Sequence, residues 1–187
     1  MARQKEVNGV NVDQLFETID QIKRDPSVAA CRFRARNEWV EGTHCRATVK
    51  EFHAAGREDE SRSEAGVFEI DEPPVLLGAN RGYNPVEYVL VALSGCLTTS
   101  LVLQAAAKGI RLDSVESRLE GDLDVRGLLG LDEKVRNGYR EIRVVFKVKG
   151  DAPPDQLREL VRLAQERSPV FDIVTNRVPV SVELEGA

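Results

Sequence analysis

The sequence contains few cysteines and histidines, which limits the sites that it can build. Its 187 residues include three cysteines, Cys31, Cys45 and Cys96, with no C-x-x-C pair. An odd count without paired spacing argues against a secreted disulfide framework and a structural zinc site, and it favours a reducing compartment. The two histidines, His44 and His53, have no further ligand at metal-binding spacing. We therefore expect no metal site.

The sequence also lacks a basic excess and an apolar N-terminal run. The net charge is -5 and the isoelectric point is about 5.2. Such a chain offers no positive field to phosphates, so nucleic acids and anionic membrane surfaces are excluded as expected partners. The polar start, MARQKEVNG, does not resemble a secretory signal. We expect a cytoplasmic protein that acts on small molecules or protein partners.

One long segment carries no charge at all. The twenty residues from Tyr88 to Ala107 are enough to span a bilayer. The segment contains several small polar residues, among them Ser94 and Gln104, and strand-like segments flank it on both sides. We interpret it as a buried core helix and expect no membrane partner.

Start and stop signals bound this helix. Asn84 is a suitable N-cap, Pro85 suits the first helical position, and Glu87 is placed to complete a capping box. Lys108 and Gly109 provide a C-terminal stop. A helix that is apolar on nearly every side needs more cover than one small sheet provides, so we predict a homodimer that buries it.

Residue periodicity predicts the other elements. Apolar residues at helical spacing predict helices over residues 12–24 and 154–167, and a charged stretch without period, 54–65, predicts a mobile loop. Alternating apolar residues predict strands near residues 31–35, 44–50, 67–70, 115–125, 142–148 and 178–184. The order of helix, three strands, long helix, two strands, helix and strand is typical of the α+β class.

Cys96 is the best candidate for chemistry. It lies in the middle of the long helix, where Gly95 allows another backbone to approach and Thr98 and Thr99 offer hydroxyl groups. A free cysteine is more often a small buried hydrophobic residue. The residues alone leave open whether Cys96 is catalytic or structural. A structural Cys96 would fit a protein that serves as an interaction module.

The sequence resembles the OsmC and organic hydroperoxide resistance (Ohr) proteins, as a divergent member. Asn84-Pro85 opens a nearly uncharged helix with Cys96 twelve residues after the asparagine, and Ser168 followed by proline stands where the family has its second Cys-Pro. The matching order of elements begins near Ala29, so we expect residues 1–28 to form a helical extension and 29–187 the OsmC-like domain. The resemblance implies antiparallel sheets packed around a long central helix in an intertwined homodimer.

The resemblance also implies a reaction. In this family a thiolate attacks the peroxide, a second cysteine resolves the sulfenic acid as a disulfide, and a dithiol reduces that disulfide without a further cofactor. Ser168 cannot form the disulfide, so turnover would need an external thiol, or Cys45 or Cys31 close to Cys96. Ser168 is expected to face inward. An alternative role for it is that of a helix-end residue whose hydroxyl bonds the preceding carbonyls.

An arginine and a glutamate activate the first thiol in the family. Arg46 is the nearest match for the arginine, although alternation places it opposite Cys45 and Ala47, toward solvent or a partner subunit. The glutamate aligns with Val86, so Glu87 is one position late and is expected to serve the capping box.

Beside the structural role of Cys96 in an interaction module, two functions fit this resemblance. The first is a thiol-dependent peroxidase of the redox stress response that reduces organic hydroperoxides through Cys96. The second is a non-catalytic binder that holds a hydrophobic small molecule or a carrier thiol in a pocket at the dimer interface.

Overall fold

The computed structural model describes residues 6–186 and divides into two compact units. The first contains residue 6 and residues 11–89, and the second contains residues 7–10 and 90–186. Helices and antiparallel sheets occur together, with one helix much longer than the others. The α+β class with antiparallel sheets and a long helix is therefore confirmed.

The N-terminal elements follow local signals. Strands β1 (Glu6–Val7) and β2 (Val10–Asn11) pair, and helix α1 (Val12–Arg24) follows them with the predicted bounds. The side chain of Asn11 accepts a hydrogen bond from the Gln14 N–H at 3.0 Å, as a helix N-cap does. Asp25 ends α1, and a 3₁₀ helix (Pro26–Ala29) follows.

Two three-stranded antiparallel sheets make up most of the first unit. One has the order β3-β6-β7 and the other the order β4-β5-β8. Their strands are β3 (Arg32–Phe33), β4 (Arg36–Glu41), β5 (His44–Val49), β6 (Phe52–Ala54), β7 (Arg57–Asp59) and β8 (Gly66–Ile70).

Two sequence predictions in this region were wrong. The strand expected near residues 31–35 is present only at Arg32–Phe33, which pair with β6, and Arg34 beyond it forms a bidentate ion pair with Glu58 at 2.7 and 2.9 Å. Phe33 is 69% exposed rather than inward. The loop expected over residues 54–65 contains a hairpin, since Ala55 and Gly56 both adopt the left-handed backbone of a tight turn.

A loop organised by one aspartate connects β8 to the long helix. Asp71 is buried and accepts hydrogen bonds from the Thr43 hydroxyl at 2.6 Å and from the backbone N–H groups of Glu72, Ala79 and Arg81. A carboxylate with four donors is well satisfied without an ion pair. Asp71 therefore fixes the chain just before the long helix begins.

Close backbone approaches in this loop require glycine. A Cβ atom at Gly78 would overlap the carbonyl of Glu72, and one at Gly82 would overlap the carbonyl of Glu69. A short 3₁₀ helix (Pro74–Leu76) lies between them and Asp71. The two glycines of this loop therefore have a steric reason.

Removing the Asp71 carboxylate should loosen this loop and lower stability in a pH-dependent way. The Thr43 hydroxyl and the backbone N–H groups hold the pKa of Asp71 well below its ordinary range. A carboxyl whose folded pKa is depressed stabilises the fold above its unfolded pKa of about 4, and that stabilisation is lost as the pH falls toward the folded pKa. Asp71→Asn should clearly lower the midpoint of urea-induced unfolding at pH 7. The difference between the midpoints of the variant and of wild type should become smaller below about pH 4.

The exposed Asp155 of the later helix supplies the control, since Asp155→Asn should leave the midpoint at pH 7 nearly unchanged. Equal midpoints for wild type and Asp71→Asn at pH 7 would contradict the role given to Asp71.

The second unit contains most of the long helix and a hairpin. Helix α2 runs over Pro85–Ala107, and Gly109 adopts the left-handed backbone just after it. Strand β9 (Leu112–Asp122) pairs with β10 (Glu141–Gly150), and α3 (Val125–Leu128) lies between them. Helices α4 (Pro154–Arg167) and α5 (Pro169–Thr175) follow. The bounds predicted for α2 and α4 are confirmed.

The core of this unit joins α2 to α4. Leu101, Ala105, Ile110, Leu160 and Ala164 form a buried cluster. Side chains from both strands and from α4 cover this cluster, among them Val115, Phe146 and Leu157. Burial of these apolar groups is the main stabilising contribution to the unit.

Two apolar surfaces differ from the sequence predictions. Helix α2 is buried along one stripe, while Val91 and Leu103 remain exposed. The predicted last strand pairs with no other segment between residues 6 and 186, and Val178, Val180, Val182 and Leu184 are exposed.

Helix α2 is, by length and composition, the one helix in the described chain that would be able to cross a membrane. Core helices of soluble proteins share this property.

Candidate functional site

Cys96 is a half-buried free thiol on α2. The buried stripe of the helix passes through Leu93, Leu97 and Leu101, and Gly95 and Leu103 are exposed. Each residue turns a helix by about 100°, so Cys96 lies on the flank between the buried stripe and the open face. This placement puts the residue next to the apolar stripe and leaves it partly exposed.

The hydroxyl expected beside the thiol has another partner. Thr99 Oγ1 donates to the backbone carbonyl of Cys96 at 3.1 Å, and Ser94 Oγ donates in the same way to Val91. These bonds satisfy the hydroxyl groups on an otherwise apolar helix. Thr99 therefore serves the helix backbone.

Ser168 lies between α4 and α5 and is only 2% exposed, so its expected inward position is confirmed. Its Oγ accepts a hydrogen bond from the Phe171 N–H at 3.1 Å, which makes it the N-cap of α5. The expected bond to preceding carbonyls is wrong, because Pro169 starts a new helix whose free N–H groups need an acceptor. Cys96 and Ser168 belong to the same unit.

Arg46 lies in the first unit and has a carboxylate partner on the next strand. It stands directly opposite Glu69 in the pairing of β5 with β8, and its Nε donates to Glu69 Oε1 at 2.7 Å. The second oxygen of Glu69 is 2.7 Å from Nε2 of the buried His44. Arg46, followed by His44, lowers the pKa of Glu69 through these hydrogen bonds.

The start of α2 covers the other face of these strands. The Tyr88 ring packs edge-on against Phe68, which stands opposite Ala47 in the pairing of β5 with β8. Since neighbouring residues of a strand point to opposite faces, Arg46 faces away from the Tyr88 side. This agrees with the orientation expected from the sequence.

Glu87 closes the capping box predicted for α2. Its Oε2 accepts from the Asn84 N–H at 2.8 Å, and Asn84 Oδ1 accepts from the Val86 N–H at 2.9 Å. Glu87 and Arg46 thus have different partners. A second carboxylate, Glu72, also contacts the Asn84 side chain, and burial raises the pKa of Glu72.

Sequence reasoning missed His44 and Glu69. Alternation along β5 places His44 and Arg46 on one face, but the partner carboxylate depends on how β8 pairs with β5. The part of the chain that the structure describes contains no group of three side chains able to hold a metal ion.

Comparisons with solved structures show the fold. An OsmC-like protein from Mycoplasma pneumoniae matches with a TM-score of 0.59 and 15% identity, over 78% of this chain and 89% of its own. An organic hydroperoxide resistance protein OsmC from Legionella pneumophila matches with a TM-score of 0.53 and 16% identity, over 76% and 88% of the two chains. No curated protein sequence matches the chain.

The sequence itself matches a family model. The model described as OsmC-like protein covers residues 78–183, which include α2 with Cys96 and the end of α4 with Ser168. This match spans more than half of the 187 residues. The chain therefore belongs to the OsmC-like protein family.

Proposed function

We propose that this protein reduces organic hydroperoxides through Cys96 and uses an external thiol to complete each turnover. The observation that carries the proposal is the half-buried free thiol in the middle of α2, within the segment that matches the family. The Legionella pneumophila relative in fold, described as an organic hydroperoxide resistance protein, supports the same substrate class. Arg46 is the proposed cation that stabilises the thiolate.

The chemistry balances with one peroxide and two thiols. The Cys96 thiolate attacks the terminal peroxide oxygen, the O–O bond breaks, and the alkoxide takes a proton to leave as an alcohol. The resulting sulfenic acid condenses with an external thiol, which releases water and forms a mixed disulfide. A second thiol attacks that disulfide, restores the Cys96 thiol and leaves as the oxidised reductant.

We also propose a cytoplasmic homodimer. The exposed apolar side chains Val91 and Leu103 of α2 and the unpaired, alternating segment 178–184 support a second copy that covers them. The Arg46 face of β5, which points away from Tyr88, is open to such a partner as well.

One observation favours a second function, a non-catalytic binder of a hydrophobic molecule or a carrier thiol. By its resemblance to the family, Ser168 stands where the resolving cysteine is expected, and its hydroxyl is engaged in capping α5. A protein that had lost turnover would hold such a ligand at Cys96 without reacting with it.

Trapping of the sulfenic acid distinguishes the two functions. The reduced protein is treated with one equivalent of cumene hydroperoxide and a dimedone probe, and peptide mass spectrometry compares Cys96 with Cys31 and Cys45. We expect the adduct mainly on Cys96 within seconds, with one alcohol formed per protein. An unmodified Cys96 together with saturable binding of the intact hydroperoxide would establish the binder instead.

A further inference from the structure

Two of the seven asparagines, Asn8 and Asn137, are followed by glycine. An Asn-Gly pair is chemically labile, because glycine has no side chain that would shield its backbone nitrogen from the neighbouring carboxamide. Both pairs lie in the second compact unit. They have the same two residues and differ in what surrounds the asparagine side chain.

The side chain of Asn8 is held at both ends. Asn8 and Gly9 form the turn between β1 and β2, and both adopt the left-handed backbone. Asn8 Nδ2 donates to the Ile110 carbonyl, and Asn8 Oδ1 accepts from the Leu112 N–H, each at 2.9 Å. We call these two hydrogen bonds the Asn8 clamp. The carboxamide must release both of them before its carbon can turn toward the Gly9 nitrogen.

The side chain of Asn137 is free to rotate. Asn137 lies in the loop between α3 and β10 and is exposed. Its carboxamide has no hydrogen-bond partner among residues 6–186. Gly138 is equally unhindered, since a Cβ atom there would meet, apart from its chain neighbours, only the Arg136 side chain at 3.7 Å. The described chain therefore contains no contact that keeps the carboxamide away from the Gly138 nitrogen.

We propose that Asn137 is a self-modification site, which converts to aspartate and isoaspartate without an enzyme, and that the Asn8 clamp protects Asn8 from the same reaction. The Gly138 nitrogen loses its proton and attacks the carboxamide carbon of Asn137. A C–N bond forms, and the side-chain nitrogen takes up a proton and leaves as ammonia. One water molecule then opens the resulting succinimide ring at either carbonyl. The reaction consumes one water, releases one ammonia and changes no oxidation state.

The two positions differ in what the conversion would change. At Asn137 it adds one carboxylate, which is ionised at neutral pH, to an exposed loop of a chain whose net charge is -5. At Asn8 it would replace the amide donor to Ile110 by a carboxylate oxygen, which only accepts. The conversion would thus open the Asn8 clamp on the start of β9, whereas at Asn137 no described hydrogen bond is lost.

The test compares the two asparagines within one protein. The folded protein is incubated at pH 8.5 and 37 °C, and cleavage after glutamate yields peptides 7–17 and 134–141 for mass spectrometry. Peptide 7–17 also contains Asn11, so fragmentation spectra assign the modified residue. Asn137 should convert at least about tenfold faster than Asn8, because Asn8 reacts only when its clamp opens. In guanidinium chloride the clamp is absent, and the two rates should agree to within about threefold.

Gly138→Ala tests the route of the reaction. The backbone of Gly138 is not left-handed and the position has room for a Cβ atom, so the variant should fold. The added methyl group shields the backbone nitrogen and should slow the conversion of Asn137 by about tenfold. The conversion of Asn8 in the same sample is the control and should keep its wild-type rate.

Each part of the proposal has its own contrary result. Equal rates at Asn8 and Asn137 in the folded protein would overturn protection by the Asn8 clamp. A rate at Asn137 that is tenfold or more below its rate in guanidinium chloride would overturn the self-modification site. An unchanged rate in Gly138→Ala would overturn attack by the Gly138 nitrogen. No thiol takes part in the reaction, so none of these results bears on the role of Cys96.

Discussion

The Cys96→Ser variant is expected to lose hydroperoxide consumption by at least about two orders of magnitude, or about 2.7 kcal/mol in activation free energy. Serine has nearly the same size, but its hydroxyl is not ionised near neutral pH and is a poor nucleophile toward the peroxide oxygen. The half-buried position tolerates a small polar group, so the urea midpoint should change little. Initial rates of cumene hydroperoxide loss with excess monothiol measure the effect.

A hydroxyl deletion on the same helix supplies the control. Ser94→Ala removes the bond to the Val91 carbonyl without touching a thiol, and it should leave the rate within about twofold of wild type. If Cys96→Ser consumes hydroperoxide at the wild-type rate, the peroxidase function is excluded.

Helices were predictable because their signals are local. The bounds of α1, α2 and α4 follow from caps, prolines and apolar spacing within each segment. The capping box of Asn84 and Glu87 depends on residues three positions apart, and it was confirmed in detail. Long strands in which apolar and polar residues alternate, such as β10, were equally predictable from the sequence.

The wrong sequence predictions involve short strands and contacts between residues that are far apart in the chain. Alternation continued across the break at Arg34, so the sequence pattern gave no sign that β3 and β4 belong to different sheets. The cluster of His44, Arg46 and Glu69 spans 23 to 25 residues and forms only because β8 pairs with β5 in one register. The apolar alternation at 178–184 has the pattern of a strand, but the segment has no partner between residues 6 and 186.

Ser168→Cys is expected to restore the resolving step. Ser168 is buried at the end of α4, one turn beyond Ala164, and the resemblance to the family predicts the second cysteine at this position. After Cys96 is oxidised, the introduced thiol should displace the sulfenic hydroxyl as water and form an internal disulfide. An intramolecular partner acts at a high effective concentration, so turnover with a low concentration of dithiol should rise by about tenfold. Non-reducing peptide mass spectrometry after one equivalent of hydroperoxide identifies the disulfide.

The same substitution weakens a helix cap, and this effect needs its own control. Ser168→Ala removes the acceptor for the Phe171 N–H without adding a thiol, so it should lower stability by about 1 kcal/mol and leave the reductant preference unchanged. Ser168→Cys should lose a similar amount of stability and yet gain the dithiol-dependent rate. A folded Ser168→Cys protein whose Cys96 becomes oxidised but forms no internal disulfide would show that position 168 does not correspond to the family's resolving cysteine.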